Sequence, residues 1–202
     1  MKFVLLDRDG VINFDSDAYI KSVDEWQPIP GSIPAIAALS RAGFEIVVIT
    51  NQSGLSRGLF GLDELEAMHA KMRALVEEQG GTIGGIYYCP HLPEYNCACR
   101  KPRTGLLDAV EQDYGCTVAG SVLVGDSMKD VELARRKHCR PMLVRSGNGA
   151  RTLASLGAAG DDVCVVDDLA AAAAAFEFYR RRFKQQWHEA QVEIEDWIRE
   201  NP

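Results

Sequence analysis

Short apolar runs alternate along this chain with longer segments whose apolar residues recur every three or four positions. The runs, at 3–6, 44–49, 86–88, 121–124, 141–144 and 163–166, are expected to be strands. After the turn Pro30-Gly31-Ser32, the residues Ile33, Ile36, Ala37 and Leu39 follow helical spacing, with Ser32 as expected N-cap and Gly43 as stop. Leu65, Met68, Met72, Leu75 and Val76 step by three and four across 62–79, and further helices are expected at 106–114, 128–137 and 152–156. Strands alternating with helices imply βαβ units with right-handed crossovers. The expected fold is therefore α/β, a three-layer sandwich about a parallel sheet.

The last stretch differs. From 169 to about 199, Phe176, Tyr179, Phe183, Trp187, Ala190, Ile194 and Trp197 form one apolar stripe after the alanine run 170–175. A helix of ~30 residues would be ~45 Å long. The chain is thus expected to divide into a domain, 1–170, and a C-terminal helical extension, 171–202. The extension either docks on its own domain or pairs with a second copy or a partner.

In parallel α/β sheets ligands sit beyond the carboxyl ends of the strands. Three polar segments directly follow the first, second and fourth runs: Asp7-Arg8-Asp9-Gly10-Val11, Thr50-Asn51-Gln52-Ser53-Gly54, and Gly125-Asp126-Ser127 with Asp130. A fourth, Arg100-Lys101-Pro102, follows the third run after a cysteine-rich loop. Taken alone, each segment has a plain reading as a turn, an N-cap or a solvated lysine. Together they suit transfer of a phosphoryl group onto an aspartate.

Asp7 and Asp9, two apart at a strand end, share a side. One carboxylate attacks phosphorus while the other moves a proton. Carboxylate and phosphate repel unless a cation lies between them, and Asp126 is the natural further ligand for Mg²⁺. Asp130 would support the metal's waters or Lys101. Thr50, Asn51, Gln52 and Ser53 offer groups suited to phosphoryl oxygens, and Lys101 would neutralise charge on the transferring group.

The cysteine-rich loop has its own chemistry. Cys89-Pro90-His91 and Cys97-Ala98-Cys99 supply three thiols and an imidazole, a set that suits a structural, tetrahedral Zn²⁺. Its place just before Arg100 and Lys101 would make it a clamp on the loop that carries them. Cys116, Cys139 and Cys164 are expected to be small packed residues. No segment approaches the ~20 apolar residues of a membrane span, and Asp7 arrives too early for a signal-peptide core, so the expected location is the cytoplasm, with no membrane partner. A net charge of −7 counts against nucleic acid as a partner.

The strand ending in Asp-x-Asp-Gly-Val, the threonine at the second strand, the lysine, and Gly-Asp-x-x-x-Asp together resemble the four motifs of the haloacid dehalogenase superfamily of phosphatases. The resemblance covers roughly 1–170. It implies a Rossmann-like fold without a large cap domain, Asp7 as nucleophile and Asp9 as acid/base. It also implies Mg²⁺ on the Asp7 and Asp126 carboxylates and the Asp9 main-chain carbonyl.

The zinc loop followed by Cys-Arg-Lys-Pro, and the opening Asp-Arg-Asp-Gly, resemble one branch of the superfamily, the heptose bisphosphate and histidinol-phosphate phosphatases. The segments 17–22, 28–32 and 50–58 favour the first, although Thr104 stands where proline is common. The resemblance implies removal of the C7 phosphate of a heptose 1,7-bisphosphate, in the route to nucleotide-activated heptose for lipopolysaccharide. Arg57 and Arg100 are the candidates for the second phosphate, since guanidinium groups bind phosphate with paired hydrogen bonds. The partner is then a small phosphorylated sugar, the chain a monomer or a helix-mediated homodimer. The competing readings are another small-molecule phosphatase of this fold, histidinol-phosphate phosphatase included, and a non-enzymatic, zinc-stabilised interaction module.

Overall fold

The computed structural model describes residues 2–182. Six strands, β1 (Phe3–Leu6), β2 (Glu45–Asn51), β3 (Gly85–Cys89), β4 (Val122–Gly125), β5 (Arg140–Val144) and β6 (Cys164–Val166), form one sheet in the order β3-β2-β1-β4-β5-β6. Every neighbouring pair is parallel. The helices are α1 (Ser32–Arg41), α2 (Leu62–Glu78), α3 (Gly105–Tyr114), α4 (Met128–Arg136), α5 (Gly149–Leu156) and α6 (Leu169–Arg182). The rest of the expected C-terminal helix, with Phe183, Trp187, Ala190, Ile194 and Trp197, lies outside the described residues.

Strand alternation sorts the core into two faces. Val4, Leu6, Ile46, Val48, Val122 and Val124 pack with α1, α2 and α6 on one face. Phe3, Leu5, Val47, Ile49 and Leu123 meet Leu106, Leu107 and Val110 of α3 and Leu133 and Ala134 of α4 on the other. Val131, Leu143 and Leu156 extend that second layer through α5. The result is the expected Rossmann-like, three-layer sandwich. On α6, Leu169, Ala172, Ala173 and Phe176 belong to the first core, and Phe176 sits edge-on to Phe44 at 5.4 Å.

Local differences from the sequence reading have physical causes. β2 runs on through Thr50 and Asn51 because these pair with Tyr88 and Cys89 of β3. Ser32 does not cap α1. Gly31, with φ of 84°, takes that position, and the Ser32 hydroxyl donates to the Ile12 carbonyl at 2.6 Å. A serine's local capping preference yields here to a buried carbonyl that needs a donor.

The long connection from β1 to α1 folds back on itself. The Phe14 amide donates to Gln27 O at 3.0 Å, and Ile29 to Ile12 O at 2.9 Å. Val11, Ile12, Ile20 and a fully buried Trp26 sink into the first core. Lys71 of α2 ties the loop down, its ammonium donating to Val23 O and Trp26 O at 2.8 Å each. The chain runs outward from β1 through β2 to β3, then returns to place β4 on the other side of β1. That reversal leaves a crevice beyond the carboxyl ends of β1 and β4, the usual ligand position in open α/β sheets.

Candidate active site

Asp7 leaves the end of β1 and Asp126 the end of β4, so the two carboxylates flank this crevice. Lys101 reaches between the strands and is 3% exposed. Its ammonium lies 2.8 Å from Asp7 Oδ1 and 2.7 Å from Asp130 Oδ1, and donates to Ile49 O at 3.0 Å. Burial works against its charge, but Asp130 and Asp7 outweigh burial and raise its pKa, so Lys101 is a fixed cation. Asp130 is fully committed. Its other oxygen accepts from the amide and the hydroxyl of Ser127 at 3.2 and 2.5 Å, closing the first turn of α4.

Asp126 is cradled by backbone. A Cβ added at Gly10 would fall 2.2 Å from Asp126 Oδ2, and one at Gly147 2.3 Å from the same atom. Both glycines also have positive φ, 82° and 58°. Asn148 donates to Asp126 Oδ2 from its main chain at 2.7 Å and its side chain at 3.2 Å, and Ser146 Oγ donates to Gly10 O at 2.7 Å. The turn 145–148 after β5 is therefore a fifth segment of the site, which sequence reasoning missed. Its only sequence signal is the run Arg-Ser-Gly-Asn-Gly directly after an apolar strand.

These environments test whether a divalent cation fits. Ligating oxygens of Asp7, Asp126 and Asp130 lie within 4.8 Å of one another. Asp130 is occupied by Lys101 and Ser127, and Asp9 by Arg8, which leaves Asp7 and Asp126 undercompensated. Burial, together with Asp130 and Asp126, pushes the Asp7 carboxyl well above its usual range despite Lys101. Burial, with Asp130 adding to it, pushes Asp126 up to about 6 against the bonds from Asn148. Two buried carboxylates that resist ionisation beside each other suit an oxygen-seeking cation.

Asp9 is held differently. Arg8, 1% exposed, donates through Nη2 to Asp9 Oδ1 and Oδ2 at 2.9 and 3.0 Å, and through Nε to Oδ1 at 3.1 Å. Asn13 Nδ2 adds a bond to Oδ1 and Gln52 Nε2 one to Oδ2, each 2.8 Å. Burial raises its pKa, but Arg8 and these hydrogen bonds more than reverse that and hold Asp9 below the usual carboxylate range. Gln52 also donates to Thr50 Oγ1 at 2.8 Å and accepts from Arg8 at 3.0 Å. Thr50, buried at the end of β2, keeps its own hydroxyl proton to give.

The remaining candidates are distributed as follows. Ser53 is buried, and its hydroxyl makes no hydrogen bond among the described residues. Asn51 joins Lys101 instead of the crevice, donating to Lys101 O at 3.2 Å and accepting from Lys101 N at 3.0 Å. Arg57 is exposed, its guanidinium 5.9 Å over the Tyr19 ring, and Arg100 donates to His91 O at 3.1 Å. Cys89, His91, Cys97 and Cys99 converge with sulfur and Nδ1 atoms 3.2–3.6 Å apart, too far for disulfides. Zn–S bonds of about 2.3 Å give a tetrahedron with edges of about 3.8 Å, so the spacing fits that metal. The Gly105 amide donates to Ala98 O at 3.0 Å and Arg103 to Cys97 O at 2.7 Å, joining this cluster to the loop that carries Lys101.

A family model described as HAD-hydrolase-like matches residues 98–172. The D-glycero-beta-D-manno-heptose-1,7-bisphosphate 7-phosphatase of Pseudomonas putida is 53% identical over 173 residues, 86% of this chain and 98% of that one. The protein of the same name from Pseudomonas aeruginosa is 54% identical over 172 residues, 85% of this chain and 96% of that one. A crystal structure of D,D-heptose 1,7-bisphosphate phosphatase from Bordetella bronchiseptica, complexed with magnesium and phosphate, is similar at a TM-score of 0.84 and 46% identity. It covers 88% of this chain and 99% of that one. With the motifs, the fold and relatives matched over nearly their whole length, the chain belongs to the haloacid dehalogenase-like hydrolases, in the family of the heptose-1,7-bisphosphate 7-phosphatases.

Proposed function

We propose that this chain is a Mg²⁺-dependent phosphatase that removes the C7 phosphate of D-glycero-β-D-manno-heptose 1,7-bisphosphate through an aspartyl-phosphate on Asp7. The observation that carries the reading is the crevice between β1 and β4. There Asp7 and Asp126 face each other with Lys101 beside them, in a chain more than half identical to phosphatases of that name.

In the first step an Asp7 carboxylate oxygen attacks phosphorus, the phosphorus–O7 bond breaks, and Asp9 gives its proton to the departing sugar oxygen. In the second, Asp9 takes a proton from water, the water oxygen attacks phosphorus, and Asp7 is released with inorganic phosphate. The pKa of Asp9 in the resting site suits the base step. An arriving phosphate dianion raises it toward the acid step, because like charge disfavours ionisation.

Lys101, Thr50 and Ser53 supply a cation and two hydroxyls for the transferring oxygens, with Asp130 and Asn51 holding Lys101 in place. Gln52 links Thr50 to Asp9. The Asp7 and Asp126 carboxylates and the Asp9 main-chain carbonyl would hold Mg²⁺, consistent with the magnesium and phosphate bound in the Bordetella bronchiseptica relative. When bound, the ion supplies positive charge between carboxylate and phosphate. Cys89, His91, Cys97 and Cys99 would hold a structural Zn²⁺, and Arg57 and Arg100 would meet the C1 phosphate.

We assign the phosphatase domain to 1–170, which holds the sheet and every site residue, and the helical extension to 171–202, whose first turns pack through Ala172, Ala173 and Phe176 into the domain's core. Six free cysteines, three of them clustered with His91, support a reducing, cytoplasmic location. Among the described residues no helix is long and apolar enough to cross a membrane.

The test is phosphate release with Mg²⁺ from heptose 1,7-bisphosphate, histidinol phosphate and fructose 1,6-bisphosphate. The expected result is a preference for the heptose of about 100-fold or more in kcat/KM, roughly 2.7 kcal/mol of transition-state discrimination. Equal, slow turnover of all three would overturn the substrate and leave the chemistry.

A further inference from the structure

Arg8 separates the two catalytic aspartates in sequence, and neither the motif nor the reaction assigns it a task. After β1 the chain coils so that the Arg8 carbonyl accepts from the amides of Val11, Ile12 and Asn13 at 3.3, 2.8 and 3.2 Å. This turn brings the guanidinium back over its neighbour Asp9 with a fork on both carboxylate oxygens. The same Nη2 bonds Gln52 Oε1 at 3.0 Å, and Gln52 returns to Asp9 Oδ2 through Nε2. Arg8, Gln52 and Asp9 thus form a closed ring of hydrogen bonds. Burying a guanidinium is costly unless its donors are matched, yet Arg8 Nη1 finds no acceptor among the described residues. A residue kept only for stability would be a poor choice here.

We propose that Arg8 is a positioning residue, whose planar fork, braced by Gln52, fixes the carboxylate plane of Asp9 toward the leaving oxygen. The proposal rests on the phosphatase reading above, with Asp9 as acid/base. A carboxylate's terminal torsion is broad and roughly two-fold, whereas proton transfer to a leaving group needs a narrow range of orientation. The fork supplies that restriction. Asp9 meets the leaving oxygen when one of its donors yields. Gln52 Nε2 is suited to yield because it already shares a bond with Thr50 Oγ1 at 2.8 Å, and the Arg8 fork then keeps the plane. Charge alone would not do this, since a lysine ammonium is a point charge without the fork.

The discriminating variants are Arg8→Lys, which keeps the charge, and Arg8→Met, which removes it. Single-turnover rates are measured with Mg²⁺ on heptose 1,7-bisphosphate, whose alkoxide needs a proton to leave, and on 2,4-dinitrophenyl phosphate, whose leaving group does not. Arg8→Lys is expected to slow sugar release by about 100-fold, the scale of general acid catalysis. It should leave dinitrophenolate release within about 3-fold and half-saturation within about 2-fold, with Arg8→Met showing the same split or a larger one. If Arg8→Met does not fold, Arg8→Lys alone carries the test. Full activity of Arg8→Lys on the sugar, or equal slowing on both substrates, overturns the proposal. A wild-type enzyme idle on the sugar overturns the heptose bisphosphate reading, and this inference with it. A working wild type without the split overturns the positioning role of Arg8 alone.

Discussion

His69 shows how a single buried group ties the site to stability. It lies on α2, 4% exposed, with its ring 5.9 Å from that of Tyr88. Burial, helped by the charges of Arg8 and Arg73, pushes its pKa down to about 4 despite Asp9. Unfolded, the same imidazole titrates near the ordinary histidine value of 6.5. Above that pH both states are neutral and His69 contributes no pH dependence. Below it the unfolded chain binds a proton that the folded chain refuses, so stability is lost as pH falls from about 6.5 to about 4, by up to about 3 kcal/mol. Urea denaturation of wild type and His69→Phe across this range is the check. Asp126 acts in the opposite sense and is common to both proteins, so wild type should lose stability relative to the variant as pH falls. Parallel curves would show that the imidazole titrates normally. Much at this level was legible in the sequence, since Asp7, Thr50 and Asp126 each end an apolar run. Arg8, Gly147 and Asn148 were not. Their roles arise from loops that meet only after folding, and no periodicity reports such contacts.

Each strand and helix expected from apolar spacing between residues 3 and 166 is present, because burial of one face sets both periods. The shifts fall at the ends, where pairing partners decide: β2 gains Thr50 and Asn51 from β3, and Gly31 displaces Ser32 as the cap of α1. The zinc-type loop was legible as a ligand set, but its attachment to Lys101 through Ala98, Asn51 and Arg103 was not. That attachment makes a prediction. Cys97→Ser should lose zinc, measured as metal per chain, and lower kcat by about 10-fold or more through a loosened Lys101, as outer supports of a site commonly do. The circular-dichroism spectrum of the sheet should persist. Unchanged kcat with zinc lost would remove the clamp from the account.

Strand order is the property of the whole molecule that makes the site. The reversal at β1 and β4 brings residues 7, 101 and 126 together across more than half the described chain. Sequence predicted only that strand ends converge; the order β3-β2-β1-β4-β5-β6 depends on packing that no local pattern encodes. The central claim is that Asp7, at that reversal, takes the phosphoryl group. Its most direct test is acid quench of the enzyme during turnover of heptose 1,7-bisphosphate, followed by proteolysis and mass spectrometry. A phosphoryl adduct on the peptide at Asp7, absent from Asp7→Asn together with turnover, is the predicted result. Turnover with no adduct at Asp7, or with Asp7→Asn still active, would contradict it.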